Sequence, residues 1–335
     1  MRRHPPSPEA APPLDDEDLL AEILLRLPPQ PSSLPRASAV CKLWRSLASD
    51  PAFSRRFRRH HRRNPPLLGC FMKDGYEVRF EPTLDPPNRV PRARFSFPGG
   101  RHFMFLGCRH GFLLMFHTSQ GALLAWDPVN GHEHPIAIQR EDPNESWSGA
   151  SYCPRKLPGG LDAVDPRKPA VLVGDSLYML LVGNSSSIIE FDVDRQSLAM
   201  IPLPVGLDPE SSRSYSVMRA EGGGTGLLFV STPDCSAQLW KRKTDCDGVA
   251  SWVLGRTIAL DNLLSLDLRN NQGIHIQGFE EENNVVFLSM FDGVFMVQLD
   301  SLQFKKLSNI NVCRLYPFEC VYAAGNMLNL FTLVL

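Results

Sequence analysis

The stretch LDDEDLLAEILLRLPPQPSSLPRASAVCKLWRSLASDPAF, residues 14–53, decides how the chain begins to fold. Asp15, Asp16, Glu17 and Asp18 put negative charge where a helix N-terminus wants it, and Leu19, Leu20, Ile23, Leu24 and Leu27 follow at helical spacing. Arg26 suits the C-terminal end, and Pro28-Pro29 stops the helix. A second start falls at Ser32-Ser33, where either hydroxyl can cap a short helix whose first turn tolerates Pro35. Val40, Leu43, Trp44 and Leu47 then stand at i, i+3, i+4 and i+7, a single apolar stripe. Asp50-Pro51 reads as cap plus first-turn proline of one more helix. A unit of about 40 residues is rarely self-sufficient as a core. The spacing therefore predicts a small helical unit that folds against a partner.

Outward from this stretch the composition changes on both sides. Residues 1–13 are rich in proline, alanine and charge and are expected to form a disordered leader. After the helices come Arg55, Arg56, Arg58, Arg59, Arg62 and Arg63, interleaved only with Phe57, His60 and His61. This run reads either as a nuclear-import or nucleic-acid patch or as the solvated tail of the last helix, where cations favour the C-terminal dipole end. The second reading is preferred, because nucleic-acid binding calls for interleaved aromatics and a recognisable reading module. Residues 1–64 carry 12 Lys+Arg against 7 Asp+Glu, and the remainder 23 against 29, so a net −1 divides into +5 and −6. That split puts a boundary near Asn64-Pro65-Pro66, with a helical domain at 14–64 and a second domain at 65–335.

The chain of 335 residues is 43% hydrophobic and 21% charged, which fits a globular protein with a sizeable core in its larger part. No apolar run follows the basic start, and none approaches the ~18 residues of a membrane span, so an intracellular location, cytoplasm or nucleus, is expected. The eight cysteines form no Cys-x-x-Cys pair and have no histidine at zinc spacing. They read as small buried hydrophobes.

From Pro65 onward the pattern is one of short strands broken by turn residues. Gly111-Phe112-Leu113-Leu114-Met115-Phe116, Leu177-Tyr178-Met179-Leu180-Leu181-Val182 and Val285-Val286-Phe287-Leu288 are strand-like, and Gly174-Asp175, Asn283-Asn284 and Asp292-Gly293 are hairpin signals. A loose repeat, an apolar strand end followed by Asp and a turn, appears at Trp126-Asp127, Phe191-Asp192 and Leu299-Asp300, with a degenerate version at Trp240. At about 40 to 50 residues per four-stranded blade, residues 65–335 make about six blades. The expected fold is α+β multidomain: small all-α unit, then an all-β domain, a β-propeller of about six blades with a β-sandwich as the alternative. The apolar end of the chain, 330–335, is expected to pair with the early strand around Leu67-Leu68-Gly69-Cys70-Phe71-Met72 and close the ring.

Residues 14–28, with Ser38-Ala39-Val40-Cys41-Lys42-Leu43-Trp44-Arg45 and Ser49-Asp50-Pro51-Ala52-Phe53, resemble an F-box. Leu106-Gly107-Cys108-Arg109-His110-Gly111, Gly278-Phe279-Glu280 and Tyr316-Pro317-Phe318 are similar to the C-terminal region of grass-type plant F-box proteins. The resemblance implies a propeller-like domain joined to helices that dock on a Skp-type adaptor and, through it, a cullin-RING ubiquitin ligase. It implies adaptor contacts from Leu14, Leu19, Leu20, Glu22, Ile23, Leu24, Leu27, Pro28, Val40, Cys41, Trp44 and Leu47. It says nothing of the target that the β domain would hold.

Signals for chemistry are weak. His132-Glu133-His134 offers two imidazoles without a third ligand and reads as an exposed turn. Gly222-Gly223-Gly224-Thr225-Gly226 lacks the Lys-Ser/Thr of a phosphate-binding loop and reads as a flexible loop. Neither a nucleophile elbow nor an activated cysteine is indicated, and no cofactor or metal is expected. Trp126, Trp147, Trp240 and Trp252 line either a binding face or the core, with the core preferred for the two that follow the strand pattern. The expected function is non-catalytic: recruiting a target to a ubiquitin ligase by raising its effective concentration. Two rivals are an adaptor-binding module without a degradation role and a glycan-binding or glycan-acting propeller.

Overall fold

The computed structural model describes residues 16–74, 77–97, 102–136, 163–164, 168, 170–182, 187–207, 214–264, 273–281, 283–309 and 314–321. The expected leader, Leu14, Trp147 and the closing segment 330–335 lie outside them. The chain divides into two compact units. The described part of the first comprises residues 16–69, Pro82–Arg94 and residues 319–321, and the second consists of Cys70–Glu81 and Phe95–Phe318.

The first unit holds helices α1 (Glu17–Leu25), α2 (Ser33–Ser38), α3 (Lys42–Ser49) and α4 (Pro51–His60). Its core is Leu20, Ala21, Leu24 and Leu25 of α1, Leu34 and Ala37 of α2, Ala48 of α3, and Phe53 and Phe57 of α4. Val321, far along the chain, completes it. The segment Pro82–Arg94 ties in through Asn88, whose Oδ1 accepts from the Ser32 backbone N–H at 3.1 Å and from Ser32 Oγ at 2.7 Å. The Asn88 amide donates in turn to Gln30 Oε1. The helical unit is therefore assembled from three separated stretches of sequence, and so extends beyond residues 14–64.

The second unit is a five-bladed propeller, one blade fewer than the length arithmetic suggests. Strands β1 (Leu67–Asp74) and β2 (Glu77–Pro82) open the first sheet, and four more sheets follow. The second is β3 (Phe103–Arg109), β4 (Phe112–His117), β5 (Ala122–Asp127) and β6 (His132–Ile136). The third contains β7 (Ala163–Val164), β8 (Val171–Val173), β9 (Ser176–Val182), β10 (Ser187–Asp192) and β11 (Ser197–Pro202). The fourth is β12 (Tyr215–Arg219), β13 (Thr225–Ser231), β14 (Ser236–Thr244) and β15 (Ala250–Ala259), followed by the short helix α5 (Leu260–Leu264). The fifth is β16 (His275–Glu280), β17 (Val285–Met290), β18 (Gly293–Gln298) and β19 (Phe304–Ser308). Strand β20 (Arg314–Glu319) then pairs with β1, so one sheet has the order β2-β1-β20. The count falls short of six because residues 65–335 spread over five sheets and so take more chain per sheet than the 40 to 50 residues assumed for a blade.

Burial explains why these strands read as unbroken apolar runs. Every residue of β17 is buried, and on β13 the neighbours Leu227 and Leu228 point to opposite faces. Leu227 packs with Tyr178, Ile188 and Ile201 of the third sheet, whereas Leu228 packs with Ile276, Val286 and Leu288 of the fifth. A sheet covered on both sides needs no polar face, and the alternation is lost. In the first sheet Phe71, Phe80 and Phe318 meet Phe95 with ring centroids 4.9 to 6.5 Å apart, mostly edge to face. Such pairs contribute about 0.5 to 1.5 kcal/mol each beyond area burial.

The loose repeat marks the third strand of successive blades. Trp126 and Phe191 lie on β5 and β10, Trp240 on β14, and Leu299 just past β18. Each strand leads into a turn held by a side-chain oxygen: Asp127 accepts from Val129 N at 2.9 Å, Asp192 from Arg195 N at 2.8 Å, Asp245 from Val249 N at 2.8 Å, and Gln298 from Ser301 N at 2.6 Å. The Trp240 copy looks degenerate because β14 runs on to Thr244, which moves its turn aspartate downstream.

Candidate functional site

The N-terminal helices carry the candidate docking surface. Asp16 caps α1, accepting from the N–H groups of Asp18 at 2.9 Å and Leu19 at 3.2 Å, which offsets orphan donors and is worth about 1 kcal/mol. The helix then sorts its leucines. Leu20 and Leu24 are fully buried inside the unit, while Leu19 is 43% exposed and Ile23, one turn on, is half-buried. Leu19 and Ile23 thus form an apolar ridge facing away from the core. Glu22, beside them, makes a close ion pair with Arg56 of α4 and lies 3.7 Å from Arg26.

Helix α3 is amphipathic in a different way from the expected stripe. It starts at Lys42, with Cys41 as an extended N-cap residue whose thiol makes no capping bond. Val40 precedes the helix and is 62% exposed, and Cys41 is exposed too. Leu43, Trp44 and Leu47 are half-buried, packing against the core from its edge, while Ala48 is the residue of α3 that enters it fully. The stripe read from Val40 is broken at the helix start because the chain is extended at Cys41.

Helix α4 closes the unit. Asp50 accepts from Phe53 N at 2.8 Å, Pro51 follows at the first turn, and Phe53 and Phe57 enter the core. At the end of α4 the His61 ring packs against Phe57 at a tilt of 57° with centroids 4.5 Å apart, and its Nε2 donates to the Leu25 carbonyl at 2.9 Å, tying α4 to the end of α1. Burial pulls the His61 pKa below its ordinary value, and the Leu25 carbonyl offsets only part of that. The arginine run lies on the exposed side of α4 and just beyond it, with cations in the last turn.

Of the twelve residues expected to face an adaptor, Leu14 is outside the described residues, and Leu20 and Leu24 are interior. Leu19, Pro28, Val40 and Cys41 are exposed, and Glu22, Ile23, Leu27, Trp44 and Leu47 are half-buried. Leu27, Trp44 and Leu47 share the rim of one core. The sequence reading did not place Phe53 and Phe57 in the core, although their i, i+4 spacing across the start of the basic run was a usable signal. Asn88 and Val321 had none, since both act across long separations.

The other candidates resolve simply. His132-Glu133-His134 is an exposed outer strand, β6, rather than a turn, with Glu133 opposite Trp126. The glycine run is an ordered turn between β12 and β13: Gly222, Gly223 and Gly224 hold φ of 77°, 91° and 83°, and Ala220 N donates to Gly224 O at 2.9 Å. Trp126 is buried, and Trp240 and Trp252 pack at the edge of a core, the latter donating to the Pro202 carbonyl at 2.8 Å. Cys70 and Cys235 are buried as expected, whereas Cys41 and Cys246 are exposed. Among the described residues no group of three or more His, Cys, Asp or Glu is placed to hold a metal ion, and no helix is long and apolar enough to cross a membrane.

Residues 17–60 match the F-box-like family, and residues 144–324, more than half of the chain, match the family described as "F-box protein AT5G49610-like, beta-propeller". This chain is an F-box protein of that family. No curated protein matches it. Among solved structures, a protein of unknown function from Bacteroides caccae is 11% identical, with 73% of this chain and 74% of that one covered and a TM-score of 0.29. A luciferin-regenerating enzyme is 9% identical, with 61% and 76% covered and a TM-score of 0.35. A mutant of AofleA from Arthrobotrys oligospora is 15% identical, with 71% and 64% covered and a TM-score of 0.31. At these values no activity or ligand of those proteins transfers to the F-box protein.

Proposed function

We propose that this F-box protein is the target-recruiting, non-catalytic subunit of a cullin-RING ubiquitin ligase of the SCF type, akin to the grass-type plant group. Its helices hold a Skp-type adaptor, and its propeller holds the target. The observation that carries this reading is the exposed apolar set on a capped, internally packed helical unit: Leu19 and Ile23 on α1, and Val40 ahead of α3, turned outward although Leu20 and Leu24 already fill the core. Apolar side chains left in water beside a complete core gain about 25 cal/mol per Å² when a partner covers them. The docking set proposed is therefore Leu19, Ile23, Leu27, Pro28, Val40, Cys41, Trp44 and Leu47, with Glu22 at its edge; Leu20 and Leu24 support it from within.

The protein needs no bond chemistry for this role. Holding a target beside a charged ubiquitin-conjugating enzyme converts a bimolecular encounter into one at high effective concentration. Affinity purification of the intact chain from cells with the proteasome blocked should recover adaptor and cullin together with proteins that accumulate when the chain is removed. Recovery of adaptor with no accumulating protein would leave an adaptor-binding module without a degradation role.

A further inference from the structure

The outer side of α4 carries charge that the helical unit does not neutralise. Phe53, Ser54 and Phe57 are buried, whereas Arg55, Arg58 and Arg59 are exposed, and Arg62 and Arg63 continue the run past the helix end. Positions three and four apart share a helix face, so Arg55, Arg58 and Arg59 form one stripe opposite the phenylalanines. Three acids of the helices are engaged elsewhere, Glu22 with Arg56 and Arg26, Asp50 with the N-terminus of α4 and Asp16 with that of α1, and Glu17 and Asp18 stand in the first turn of α1. Among the described residues no carboxylate pairs with Arg55, Arg58, Arg59, Arg62 or Arg63. Five like charges within about 12 Å of chain rise repel one another, and the helix dipole compensates only the last turn.

We infer that this stripe is a docking surface for an acidic segment of a partner protein, with carboxylates spaced to meet Arg55, Arg58 and Arg59. Guanidinium forks match carboxylates in bidentate geometry, and the run from Arg55 to Arg63 contains arginine and no lysine. Two other occupants of a basic surface fit less well. Single-stranded nucleic acid is held by base stacking on aromatic rings as well as by charge, and both phenylalanines of α4 are spent in the core. A receptor that reads a basic segment as an extended peptide would need α4 unfolded, which would pull Phe53 and Phe57 out of that core. The contact is separate from the apolar docking set on α1 and α3, and neither depends on the other.

The test uses the intact chain and three probes: a labelled poly-glutamate peptide, a single-stranded oligonucleotide of matched charge, and phosphatidylserine vesicles. The peptide should bind at low salt and be released as salt shortens the Debye length. Replacing Arg55, Arg58 and Arg59 by Gln should weaken it about tenfold, while Lys at the same positions, which keeps the charge but loses the bidentate fork, should restore only part of the binding. A control triple, Arg36→Gln, Lys42→Gln and Arg45→Gln, removes as much charge from elsewhere on the helices and should leave peptide binding nearly unchanged. The 222 nm melt of each variant guards against loss of fold. The inference is overturned if the wild type ignores the peptide, if the control triple loses as much as the stripe variant, or if the oligonucleotide or the vesicles bind more tightly than the peptide.

Discussion

Gly293 begins β18 at φ 136°, and a Cβ there would lie 1.8 Å from the backbone oxygen of Ser308 on the neighbouring strand. Backbone cannot swing aside as a side chain can, so Gly293→Ala should destabilise the propeller by about 3 to 5 kcal/mol in denaturant unfolding. Gly131, at φ 73° but with open space around its Cβ position, should lose only about 1 kcal/mol on the same change. The same logic separates two neighbours on α1. Leu24→Ala empties the core and should cost about 2 to 5 kcal/mol of helical stability, while Ile23→Asp should leave the 222 nm melt nearly unchanged. His61 adds a pH dependence with a definite sign. Its folded pKa lies below the ordinary 6.5, so the unfolded chain takes up the proton first. The helical melt should be most stable above that value and weaken as pH falls from about 6.5 through the lowered folded pKa, and His61→Gln should flatten the slope. A slope unchanged in the variant would mean that another group carries it.

At the scale of elements, local signals proved legible and distant ones did not. The caps Asp16 and Asp50, the first-turn Pro51 and the stop after Leu25 are written within a few residues of where they act, as are the hairpin turns at Gly174-Asp175 and Asn283-Asn284, whereas the signal at Asp292-Gly293 falls one residue late, since the turn is Phe291-Asp292 and Gly293 already belongs to β18. The third-strand repeat was legible too, because in three of its four copies an aspartate at or beyond the strand end serves the turn that follows, while Gln298 does so in the fourth. What could not be read is how the helical unit is completed. Asn88 reaches Ser32 across 56 positions, and Val321 joins the same core from still farther along. Neither leaves a periodicity. Asn88→Ala strips partners from Ser32 and Gln30 at about 1 kcal/mol per lost bond, so the helical melt should drop while strand signals hold. A fragment ending at residue 64 should melt lower still, since it lacks both Pro82–Arg94 and Val321. Equal melting of fragment and intact chain would show that the helices stand alone.

For the whole molecule, the two-part division and the strand-rich second part follow from charge split and punctuation, while blade number does not follow from length. Strand β20 pairing with β1 brings early and late strands of the β region into one blade; the described partner of the early strand is residues 314–319, and the segment 330–335 expected in that place lies outside the described residues. The candidate docking surface was legible as a region but not residue by residue, because periodicity marks apolar positions without telling which of Leu19, Leu20, Ile23 and Leu24 a second helix will cover. The central claim is that the outward members of that set hold a Skp-type adaptor. Titration calorimetry of the intact chain with purified adaptor tests it most directly, alongside the double variant Leu19→Asp and Ile23→Asp. Saturable one-to-one binding that is lost in the variant, with its 222 nm melt unchanged, is the predicted result; no heat with the wild type, or equal binding by the variant, would contradict it.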